Sequence, residues 1–114
     1  MAVPVLEDIV RQHAEEAAHL WTIYDEALRH PDDNPDMDEE RLDRLVDRLD
    51  AHLDGLRVAG EDGKRIAAER YEEYPEAGEL FVVQILSAKR EVLKIREFDP
   101  DRIRAWLHEN GKKS

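Results

Sequence analysis

The residues best suited to chemistry in this chain are a few histidines set among many carboxylates. Glu16 and His19 stand at Glu-x-x-His spacing, which would project a carboxylate and an imidazole from one helix face, as in helical bundles that hold a di-iron centre. Such a centre takes two of these motifs and two further inward glutamates, and the chain has no second Glu-x-x-His. His13 and His52 offer another arrangement. If the helices that carry them pair, the two imidazoles could meet as zinc ligands; the other reading of each is a hydrogen-bonded, partly buried histidine. No third ligand is evident beside them, so ordinary hydrogen-bonded, partly buried histidines are expected. Nucleophiles are scarcer still: Ser87, Ser114 and Thr22 are the only serines and threonine, none in a nucleophile elbow, and cysteine is absent. Gly60-Glu61-Asp62-Gly63-Lys64 ends in lysine, as a phosphate-binding loop does, but lacks its spacing and a preceding strand. With 28 Asp and Glu in the chain, no single carboxylate pair stands out as an acid–base couple. The expectation is therefore no enzyme, no resident metal and no cofactor.

The elements that would position these groups read as helices. Residues 42–56 are the clearest: at about 100° per residue, Leu42, Leu45, Val46, Leu49, Leu53 and Leu56 form an apolar face. Asp43, Asp47, Asp50 and Asp54 form a second stripe, and Arg41, Arg44 and Arg48 a third. The apolar stripe calls for a partner helix, and every other segment can be read as packing against it. The acidic stripe sets like charges one turn apart, at a cost of a few tenths of a kcal/mol per pair. An ordinary solvated helix side would look the same.

Upstream, Leu6, Ile9, Val10, His13, Ala14, Ala17, Trp21, Tyr24 and Leu28 recur at three and four, a long amphipathic helix that Pro4 can open and that ends near His30. Pro31 and Pro35 break it. Asp36 with Glu39 has the spacing of a capping box for the second helix, and the short connection predicts an antiparallel hairpin. Gly60 is a candidate left-handed helix end, and Gly60-Glu61-Asp62-Gly63 separates the second helix from a third over residues 64–74, with Ile66, Ala67, Tyr71 and, at its end, Tyr74 read as inward. In residues 76–98, Leu80-Phe81-Val82-Val83-Gln84-Ile85-Leu86 has the apolarity of a buried strand. Phe81, Ile85, Ala88, Val92 and Ile95 keep helical spacing without Gly or Pro, which favours a mostly buried helix. Asp99 and Pro100 mark the start of a fifth helix with Ile103, Trp106 and Leu107 inward. The large aromatics Trp21, Tyr24, Tyr71, Tyr74, Phe81 and Trp106 are read first as core. The fold expected is all-α: antiparallel helical hairpins, about five helices, in a HEAT-like or bundle arrangement. It forms one domain over residues 1–111, with 112–114 as a disordered tail.

Composition narrows the partners. Of 114 residues, 41% are hydrophobic and 39% charged, and the formal net charge is −11. That charge disfavours nucleic acid and anionic membranes, whose binding needs clustered lysine and arginine. It suits a basic protein. The charge is uneven: residues 31–54 hold ten acids against three arginines, whereas residues 89–114 hold eight Lys and Arg against five acids. The two regions could attract one another within the fold or across a homodimer. The absence of cysteine, of a basic and apolar leader and of any apolar run long enough to span a bilayer points to a cytoplasmic protein.

Three segments together resemble a known family. Residues 9–21, with His13-Ala14-Glu15-Glu16-Ala17-Ala18, residues 49–60, with Asp50-Ala51-His52-Leu53-Asp54-Gly55, and Gly78-Glu79-Leu80-Phe81 resemble the N-terminal part of poorly characterised bacterial proteins. Those proteins carry HEAT-like helical repeats and are encoded among type VI secretion genes. The resemblance spans roughly residues 5–98, and the longer members carry further repeats beyond that point. It implies an interaction protein tied to effector export or neutralisation, and it brings no catalytic residues. The leading expectation is an immunity protein that docks a basic effector domain through Asp32, Asp33, Asp36, Asp43, Asp47, Asp50 and Asp54. The alternative is an adaptor or effector-loading component of the secretion machinery, acting as a homodimer.

Overall fold

A computed structural model describes residues 7–87, and they form an all-α bundle of four helices and one 3-10 turn. The helices are α1 (Glu7–Arg29), α2 (Glu39–Val58), α3 (Glu61–Glu73) and α4 (Ala77–Ser87), with the turn at Pro31–Asp33 between the first two. The apolar run at Leu80 to Leu86 is helical, so its β-branched residues yield to the continuing three-and-four spacing. The expected start at Pro4 with Leu6, the continuation of the fourth helix to Phe98, the helix capped by Asp99 and the tail at 112–114 lie outside the described residues.

The organising element is α1, not α2. Helix α1 packs against α2, α3 and α4, whereas α2 meets α3 and α4 only lightly. Its composition explains why. Ala14, Ala17, Ala18 and Ala27 are buried beside Val10, Leu20, Trp21 and Tyr24, and small side chains let neighbouring helices approach on more than one side. The buried stripe is therefore wider than a two-helix reading of the periodicity gives. It takes in Ala18, Leu20 and Ala27, while Ile9 is left exposed.

Helices α1 and α2 run antiparallel, as His13 near the start of one meets His52 near the end of the other. On α2, Leu45, Val46, Leu49, Leu53 and Leu56 are buried and Leu42 packs at the edge. Along α1 the remaining contacts advance in order: Glu7 pairs with Arg65, Glu15 with Arg70, the Ala18 carbonyl lies beside Gly78, and Trp21 stacks on Phe81. Helix α3 thus follows the N-terminal half of α1 and α4 the C-terminal half. At the seam between them Arg70 meets Glu15 at 3.3 Å and Glu79 at 3.4 Å, with its guanidinium 4.2 Å from the Tyr74 ring centre. Glu79 is buried, and a buried carboxylate calls for such a cation. Tyr74 itself is exposed, so its inward reading is corrected: it lies beyond the last turn of α3 and supports Arg70 instead of the core.

The helix ends show local chemistry. Asp38, not Asp36, caps α2: its carboxylate accepts from the Arg41 amide at 2.9 Å. Asp36 contributes its backbone carbonyl, which accepts from the Arg41 guanidinium at 2.7 Å. Gly60 follows α2 with φ +63°, the left-handed φ expected there, and α3 begins at once with Glu61. Gly63 does not break the helix. It is buried inside α3, where the chain crosses the Leu56 carbonyl too closely for any side chain.

Candidate functional site

Two places collect the residues singled out by sequence. The first is the loop between α1 and α2 with the opening turns of α2. Backbone hydrogen bonds shape the loop: the Asp33 amide donates to the His30 carbonyl, the Asn34 amide to Pro31, and the Met37 amide to Asn34. The Asn34 side chain also donates to the His30 carbonyl at 2.8 Å, and Met37 packs onto the core. These bonds hold Asp32, Asp33 and Asp36 outward, all exposed. Asp43 and Asp47 continue the acidic surface along α2 and are exposed as well.

Asp50 and Asp54 do not belong to that surface. Asp50 is only 8% exposed, and Asp54 is half-buried with its carboxylate 3.0 Å from the Arg57 guanidinium. The stripe is intact as helix geometry, but Asp50 sits about 60° round from Leu53, a fully buried residue, and the broad buried face of α2 takes it in. All four aspartates of the stripe also engage other groups within the chain, so exposure, not lack of a partner, distinguishes Asp43 and Asp47.

Sequence reasoning missed the acids that fill the gap between loop and helix. Asp38, Glu39 and Glu40 are exposed and join Asp36 to Asp43. Their position in the first turn was the available signal: acids there are favoured by the helix dipole and stay at the surface for the same reason. Across residues 31–47 there are eight acids and two arginines. Both arginines are engaged locally, Arg41 on the Asp36 carbonyl and Arg44 on Glu40.

The second place is the α1–α2 seam. The Nδ1 atoms of His13 and His52 lie 2.9 Å apart, part-buried, with ring centres 5.2 Å apart and planes tilted by 55°. Both histidines are hydrogen-bonded and partly buried, as expected, but each is the other's partner, a meeting that the sequence suggested only as a zinc site. Gly55, one turn past His52, makes room for it: a Cβ there would stand 2.7 Å from the His13 ring. Glu16 is half-buried on the same side of α1, while His19 is exposed. His52 is held below the ordinary imidazole value, first by burial, then by His13 and by Arg48, with Glu16 acting the other way. Among the described residues no group of three His, Cys, Asp or Glu gathers as a metal ion would require. No described helix is long and apolar enough to cross a membrane.

The three segments that carry the family resemblance meet within the fold, at a part-buried seam and in the core. His13 of the first bonds His52 of the second, and Trp21 of the first stacks on Phe81 of the third at 4.4 Å between ring centres. They specify packing, and the acidic surface lies apart from them. Compared with known proteins, the chain matches no family model, no curated protein and no solved structure.

Proposed function

We propose that this chain is a protein-binding domain that docks a basic partner through Asp32, Asp33, Asp36, Asp43 and Asp47, without catalysing a reaction. The observation that supports this reading most is the continuous exposed acidic surface from the 3-10 turn to Asp47, held by a hydrogen-bonded loop and a capped helix. A rigid negative surface raises the rate of encounter with a positive one and restricts its orientation. The likeness of residues 9–21, 49–60 and 78–81 to the type VI-associated family suggests the class of partner: an effector domain with a basic face, for which this chain serves as the immunity protein.

A second copy of the chain, as in the adaptor reading, has less support. Among the described residues the exposed large apolar side chains are Ile9, Val58 and Tyr74, which offer a homodimer little to bury.

The test is to coexpress the chain with basic proteins encoded beside it, isolate a complex and measure Kd as salt is raised from about 0.05 to about 0.5 M, where the screening length shrinks several-fold. Kd should rise steeply with salt. Asp43→Lys with Asp47→Lys should weaken binding about tenfold or more at low salt, mainly through the association rate. Affinity indifferent to salt and to both substitutions would remove the acidic surface from the mechanism.

A further inference from the structure

The contact between His13 and His52 constrains how many protons the pair can hold. At 2.9 Å between Nδ1 atoms, one nitrogen must donate and the other accept through its lone pair, so at least one ring is neutral. If both rings are charged, both Nδ1 atoms become donors. The bond is then lost and two positive charges face each other across a part-buried seam. Retreat is restricted on the side of α2, because the His13 ring already fills the space over Gly55. We propose that the His13–His52 pair is a proton-operated latch between α1 and α2, closed while at least one imidazole is neutral and opened when both are protonated.

The charged groups acting on His52 come from both packed helices. From α1, His13 opposes a second charge and Glu16 favours it; from α2 itself, Arg48 opposes it. Burial acts with His13 and Arg48, so Glu16 is outweighed. The sign follows. As pH falls past 6.5, the ordinary value for histidine, the unfolded chain takes up a proton that folded His52 resists. The stability from the closed latch is therefore fully present above that value and is lost as pH falls through the lower folded value. Since Asp43 and Asp47 stand on the helix the latch holds, acid would also loosen the mounting of the acidic surface. That consequence rests on the proposed function, but the latch does not.

The experiment is urea unfolding of the full chain at about pH 7.5 and about pH 5, a window in which histidine changes charge, for the parent and for His52→Asn. Asparagine keeps a short polar group at that position and does not titrate. Between the two pH values the parent should lose about two- to tenfold more of its folding equilibrium constant than the variant, the worth of one hydrogen bond. In parallel, an NMR titration of the parent should place the His52 midpoint below 6.5, and His13→Asn should move it upward. Superimposable pH profiles for parent and variant overturn the latch, as does a His52 midpoint at or above 6.5. So does stoichiometric zinc binding that abolishes the titration. If His52→Asn does not fold, the titration of the parent still decides.

Discussion

Phe81→Ala should cost about 3–5 kcal/mol of folding stability, within the range for truncating a large buried aromatic. Phe81 is among the largest fully buried side chains, and it stacks on Trp21 with ring planes only 12° apart. The substitution opens a cavity where α4 packs on α1, and it removes an aromatic pair worth about 0.5–1.5 kcal/mol beyond area. Small domains have only about 5–15 kcal/mol in total, so the variant should sit close to unfolding at room temperature. Urea denaturation followed by tryptophan fluorescence measures it. Phe81→Leu, which refills most of the space, should lose much less. Equal midpoints for parent and Phe81→Ala would mean that α4 does not pack as described.

The second large effect is expected at Gly63. Inside a helix, glycine to alanine ordinarily gains up to about 1 kcal/mol. Here the sign reverses, because the new Cβ would stand 2.1 Å from the Leu56 carbonyl oxygen and 3.0 Å from its carbon. The obstacle is backbone, so the α2–α3 junction itself must open. A net loss of about 1–3 kcal/mol is expected, the scale of overpacking in a close-packed interior. Thermal unfolding of Gly63→Ala gives the answer, and a melting temperature at or above that of the parent would contradict the tight crossing.

Comparison of these residues with the sequence shows what periodicity can convey. The leucines of α2 were legible because they repeat at three and four over about four turns and bury one stripe. The helical state of residues 80–86 was legible for the same reason. Less of α1 could be read, since a helix that touches three neighbours buries more than one stripe. Ala18, Leu20 and Ala27 therefore look like flanking positions until those neighbours are placed. Gly63 looked like a breaker because glycine marks both turns and close crossings, and only the crossing chain tells them apart. Asp50 and Glu79 are acids whose burial depends on tertiary surroundings, the broad α2 face for one and Arg70 for the other. No local pattern carries that. The histidine couple was partly legible: the helix pairing brought His13 and His52 into range, but the Gly55 notch that lets the rings meet belongs to the folded seam. Of the seven aspartates expected to bind, Asp32, Asp33, Asp36, Asp43 and Asp47 are exposed and Asp50 and Asp54 are drawn inward or paired.

On the proposed function, a partner touches the loop and the opening turns of α2. Amide hydrogen exchange of the chain, alone and with a bound basic partner, tests it directly. New protection should concentrate in residues 31–47 and be lessened in the Asp43→Lys, Asp47→Lys variant. Protection centred on α3 and α4, with residues 31–47 unchanged, would contradict it.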